Sequence, residues 1–186
     1  MKKTLLLLLL ILATTGANAQ WKLAKFKQNF HPSQASSYFE FEKGSWIAYS
    51  ENKNGTVHLY RTAPEDGIED WGTIPKSMAN KYLEFTGYYV GQVRDPIDDY
   101  VNVRKGPGTN YPVVGKCHTG DYIYFMKTEN NWLKVYTVRS VVDFVTDVGF
   151  LNLPIHLEPD YDDVLIFLGY MYKDRVKTPT PRGEWW

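Results

Sequence analysis

Between Tyr88 and Leu157 the chain meets a turn signal every few residues, and between those signals apolar and polar residues alternate. That pattern builds short strands of a small barrel or sandwich and leaves little room for helices. In Tyr100-Val101-Asn102-Val103-Arg104 the period of two sends Val101 and Val103 to one face and Asn102 and Arg104 to the other. Lys105-Gly106-Pro107-Gly108 must then turn the chain. Asp121-Tyr122-Ile123-Tyr124-Phe125 alternates again, with Ile123 and Phe125 as core candidates, and Asn130-Asn131 makes a corner before Trp132-Leu133-Lys134-Val135-Tyr136. The chain has 6 Trp, 14 Tyr and 9 Phe, large rings that suit a pleated surface. Its single cysteine cannot form an internal disulfide, so the fold must rest on packing.

The N-terminus reads as an export signal. Lys2 and Lys3 supply positive charge, Leu5 to Leu12 an unbroken apolar run, and Ala17-Asn18-Ala19 a small-x-small cleavage site, so the mature chain is expected to start at Gln20. The apolar run is too short to span a bilayer, and no cysteine follows the cleavage site to accept a lipid. The expectation is an exported protein, periplasmic or extracellular, that does not span the membrane after processing. Removing the leader leaves 19 basic against 21 acidic residues. A phosphate backbone draws on clustered Lys and Arg, and Lys22, Lys25 and Lys27 form only a short group, so nucleic acid is not an expected partner.

On the N-terminal side, Trp21 to Gln34 reads as an extended or loosely held lead-in, with order beginning near Tyr38. Ser45-Trp46-Ile47-Ala48-Tyr49 and Thr56-Val57-His58-Leu59-Tyr60 flank Asn52-Lys53-Asn54-Gly55, the signature of a β-hairpin. A short helical turn follows Pro75. On the C-terminal side, an acidic break at Glu158 to Asp163 precedes the continuous apolar run Val164 to Tyr172, which reads as a buried strand. The tail with Pro179 and Pro181 should be extended up to Trp185-Trp186.

Val101-Asn102-Val103-Arg104-Lys105-Gly106-Pro107-Gly108-Thr109-Asn110-Tyr111 resembles the signature of bacterial SH3 (SH3b) domains. Val113-Val114-Gly115, Gly120-Asp121, Asn131-Trp132-Leu133-Lys134-Val135 and Gly149-Phe150-Leu151 resemble the same family's later strands in order. Between Val135 and Gly149 the chain departs from the family's short hairpin by inserting Val138 to Val145. The resemblance covers about 70 residues and implies an all-β fold: an SH3-like small barrel with a flanking β-hairpin and an extra C-terminal strand. The expected organisation is a signal peptide over 1–19, a β-rich segment over 20–84, the SH3b domain over 85–158, and a C-terminal strand with extended tail over 159–186.

Cys117 with His31, His58, His118 or His156 is a nucleophile-and-base combination to weigh, and paired carboxylates for glycoside hydrolysis are spatial, so no pair is singled out by sequence. Cys117 stands where the family has an apolar strand residue, and His118 as its chain neighbour points the other way, so an inert buried thiol is expected. The cysteine peptidases that carry SH3b domains need a catalytic domain of about 100 residues, which neither flank offers. The acidic groups at Asp95, Asp98 and Asp99 and at Glu158 to Asp163 lack the spacing of a calcium loop, and the histidines and cysteine lack zinc spacing. No enzyme activity, metal or cofactor is therefore expected.

The aromatics carry more. SH3-type barrels bind extended chains in aromatic-lined grooves, which makes Tyr100, Arg104, Tyr111, Trp132 and Tyr136 the candidate ligand-binding residues. Trp132 is core or groove wall, and Arg104 bonds either the turn carbonyls or a ligand carboxylate. The resemblance implies a binding module for a cell-wall peptide or an extracellular protein segment. The alternative is a structural or assembly protein that docks a partner through the C-terminal apolar strand and the Trp-Trp tail.

Overall fold

The computed structural model describes residues 20–31, 40–63, 67–138 and 164–179. The signal segment, the Val138 to Val145 insertion beyond its first residue, Gly149-Phe150-Leu151, the acidic break at 158–163 and the Trp-Trp end lie outside the described residues.

Among the described residues, eleven strands form one antiparallel sheet: β1 (Lys22–Phe26), β2 (Trp46–Glu51), β3 (Thr56–Ala63), β4 (Gly67–Pro75), β5 (Leu83–Val93), β6 (Tyr100–Arg104), β7 (Val113–His118), β8 (Tyr122–Lys127), β9 (Trp132–Val138), β10 (Leu165–Tyr172) and β11 (Val176–Lys177). One helix, α1 (Lys76–Tyr82), follows Pro75. The order across the sheet is β4-β3-β2-β1-β5-β8-β9-β10-β6-β7, with β11 against the end of β5. The all-β expectation holds, with the flanking hairpin and the extra C-terminal strand both present. Among the described strands the ladder is open and does not close into the expected barrel.

The expected hairpin is β2–β3. Gly55 turns it at φ +77, and the Asn54 side chain accepts the Thr56 amide at 3.2 Å. The lead-in expectation is corrected: residues 22–26 are β1, a central strand between β2 and β5. Leu23, Ala24 and Phe26 are buried, and Phe26 stacks with Phe30 and Phe41. The mixed polarity of this segment conceals a strand buried on both faces, which alternation cannot register.

β5 joins two lobes. Its first half pairs with β1 and its second with β8. The register against β1 slips between Lys22 and Ala24, where Gly87 takes φ +77. Such a bulge bends a strand, and only glycine holds that backbone cheaply. The expected boundary after residue 84 thus falls inside a strand.

The second lobe wraps Val93, Val101, Val103, Cys117, Ile123, Phe125, Leu133, Val135 and Met171 into one cluster. Tyr124 points away from that cluster yet is equally buried, against Trp21, Trp46 and Val90 of the inter-lobe layer. The expected C-terminal strand is present as β10, and its place is internal, between β9 and β6. Gly169 permits this: a Cβ there would lie 2.6 Å from the Arg104 carbonyl oxygen.

Candidate functional site

The outward face of β6 forms the floor of a cleft of about 610 Å³, lined by Tyr100, Asn102 and Arg104. Period-two alternation puts these three on one side while Val101 and Val103 are buried in the core behind them. One wall is Trp132, which begins β9, with Tyr172, which ends β10. These two are register partners, and their rings meet edge to face at 5.7 Å. A Lys116 ammonium sits 4.5 Å from the Tyr100 ring centre.

The loop before β6 closes one end. Asp95 Oδ1 accepts the backbone N–H groups of Ile97 at 2.8 Å and Asp98 at 3.2 Å, and its Oδ2 pairs with Arg175 Nη1 at 2.7 Å. Those two N–H donors, with the Arg175 guanidinium, hold the Asp95 carboxyl below its usual range. Asp99 then turns the chain into β6 at φ +55. The Lys105–Pro112 turn closes the other end through Gly108, Thr109 and Asn110.

Of the five residues expected from sequence, Tyr100, Arg104 and Trp132 line the cleft. Tyr111 does not. Its ring lies over Gly106, where a Cβ would come within 2.4 Å of it, and its carbonyl accepts Arg104 Nη1 at 2.8 Å. Tyr111 is 42 % exposed, but its ring braces the turn that holds Arg104. Tyr136 lies elsewhere, edge to face with Tyr88 and Phe167, its hydroxyl donating to Met126 Sδ at 3.4 Å.

Sequence reading missed Tyr172 and Arg175, weighed Asp95 and Asp98 only as calcium ligands, and did not single out Asn102 as a site residue. Tyr172 and Arg175 come to the cleft only because β10 inserts beside β6, a pairing that no local pattern announces. Asn102 was visible in the alternation as an outward residue. Its Oδ1 is shielded from solvent with no hydrogen-bond donor among the described residues, an arrangement that costs about 1–3 kcal/mol.

Cys117 is fully buried in the second-lobe core, and burial, then the nearby Asp121 charge, pushes its thiol far up. His118 beside it is exposed. Native Cys117 should therefore react with a thiol reagent orders of magnitude more slowly than the denatured chain. A folded-state pKa raised above the unfolded value gives stability that is full below the ordinary thiol pKa of about 8.5 and declines as pH rises past it. Native labelling as fast as denatured labelling would place Cys117 at the surface.

No protein-family model and no curated protein matches this chain. Among solved structures, the chain is similar to NlpC2 from Trichomonas vaginalis, at 11 % identity and TM-score 0.31, covering 87 % of this chain and 48 % of that one. It is also similar to NlpC1 from Trichomonas vaginalis, at 14 % identity and TM-score 0.30, covering 85 % of this chain and 42 % of that one. The chain thus spans less than half the length of either, and likeness at that level leaves the site to be argued from its own residues.

Proposed function

We propose that this is an exported, non-enzymatic binding module whose β6 cleft receives a cell-wall peptide or an extracellular protein segment. The observation that carries the reading is the composition of the cleft: three aromatic rings, two guanidinium groups and two carboxylates around one concave surface. Concave sites with aromatic walls and a few placed polar groups are where proteins hold small extended ligands. The SH3b resemblance of residues 101–111 supports the same ligand class, since those residues form the cleft floor and its turn. The buried Cys117 gives no accessible thiolate for acyl transfer.

Partner docking by the C-terminal strand has less support. Adding a strand needs an unpaired edge, and β10 pairs with β9 along its length and with β6 at Tyr170, which leaves only part of one edge open, while the Trp-Trp end lies outside the described residues. Among the described residues no helix is long and apolar enough to cross a membrane.

Sedimentation of the mature chain with purified cell wall tests the proposal. Saturable co-sedimentation that a soluble cell-wall peptide reverses is expected. Failure to co-sediment, with a protein partner captured in a complex that leaves the cleft open to solvent, favours the assembly reading. Intact mass of the exported form should show that residues 1–19 are gone.

A further inference from the structure

Resting on that cleft reading, we infer that the ligand is a short zwitterionic peptide of about four to six residues, held in one direction with its carboxylate at Arg104 and its ammonium at Asp98. The charges of the cleft fall into two sets. Arg175 and Asp95 satisfy each other at 2.7 Å, and two backbone N–H groups complete the Asp95 shell. They form a closed structural unit with little left to offer. Among the described residues, Arg104 donates only to the neutral Tyr111 carbonyl and the Asp98 carboxylate has no ionic partner. Among the described residues that line the cleft, Arg104 is therefore the cation and Asp98 the anion without an ionic partner, while the Lys116 ammonium outside the lining sits against the Tyr100 ring.

Their positions set length and direction. Arg104 ends β6, and Asp98 lies two residues before its start, both lining the same cleft. From Tyr100 to Arg104 the strand rises about 13 Å, and Asp98 lies two residues further back across the Asp99 turn, so an extended peptide of about four to six residues spans the two charges. The Asn102 amide lies midway, where the middle of such a peptide would run. Tyr100, Trp132 and Tyr172 offer ring faces to its side chains. A guanidinium takes a carboxylate through two parallel N–H bonds, so the C-terminal carboxylate belongs at Arg104. A reversed peptide would set ammonium against guanidinium and carboxylate against carboxylate, which like-charge repulsion disfavours.

The test is an amide and side-chain NMR titration of the mature chain with tetraalanine, its C-terminal amide and its N-acetyl derivative, each at millimolar concentration. Tetraalanine should shift cleft resonances, including the Trp132 indole, and either blocked form should bind about tenfold more weakly or worse. Arg104→Gln should abolish the preference for the free carboxylate while keeping that for the free amine, and Asp98→Asn should do the converse. Arg104→Lys keeps the charge and should keep the preference, which separates charge recognition from damage to the turn. Three peptides that shift the cleft equally would overturn the zwitterionic assignment and leave the peptide cleft standing. Loss of the carboxylate preference in Arg175→Gln instead of Arg104→Gln would overturn the direction. If none of the three shifts the cleft, this assignment falls, and cell-wall sedimentation of the cleft variants then decides separately whether the cleft reading falls with it.

Discussion

A chain of residues 20–163 is expected to lose the cooperative fold of the second lobe, although it keeps every residue of the SH3b-like signature. In the sheet, β10 is the sole hydrogen-bonded link between β9 and the β6–β7 pair among the described strands. Without it, β6 and β7 lose their sheet neighbour and are held to the lobe by side-chain packing and the turn after β7, and a two-stranded hairpin has little stability of its own. Met171, fully buried in the second-lobe cluster, leaves with it. Truncating one such side chain to Ala costs about 2–5 kcal/mol, and a whole domain has only about 5–15 kcal/mol to lose. Near-ultraviolet circular dichroism and thermal melting should show loss of tertiary signal and of the cooperative transition. Melting like that of the mature chain would mean that β10 is dispensable and that its pairing here is wrong.

The other large effect is expected at the opposite end. Leu23 lies in β1 with no exposed surface, in the layer shared by the two lobes with Trp21, Trp46, Val90 and Tyr124. Leu23→Ala should cost about 2–5 kcal/mol and lower the melting temperature by about 5–20 °C. The exposed hairpin substitution Lys53→Ala should stay within about 0.5 kcal/mol. A loosely held lead-in would leave the two variants alike in urea or heat denaturation.

These two elements also show where sequence reading reached and where it stopped. Strands with one wet face announce themselves: the alternation in 100–104 and 121–125 placed Val101, Val103, Ile123 and Phe125 in the core, where they are. The Asn-Gly hairpin was equally legible, because its turn chemistry is local. β1 was not, since burial on both faces erases the period-two signal. The SH3b-like segment yielded the cleft floor and Trp132. The wall at Tyr172 and the Arg175–Asp95 pair depend on a contact between residues about 70 to 80 apart in sequence. Tyr111 sits on the expected loop, but what its ring does there was decided by Gly106 beneath it. An aromatic on a turn serves a ligand or the turn itself, and only packing distinguishes the two.

The central claim is that binding takes place in the β6 cleft. Its most direct test is the affinity for purified cell wall of the mature chain, of Tyr172→Ala in the cleft wall, and of Phe85→Ala, an exposed ring on the first half of β5. Tyr172→Ala should remain folded by circular dichroism and bind about fivefold more weakly or worse, the loss of one aromatic anchor of about 1 kcal/mol or more. Phe85→Ala should bind as the parent does. Undiminished binding by Tyr172→Ala together with lost affinity in Phe85→Ala would contradict the account and move the site to the N-terminal lobe.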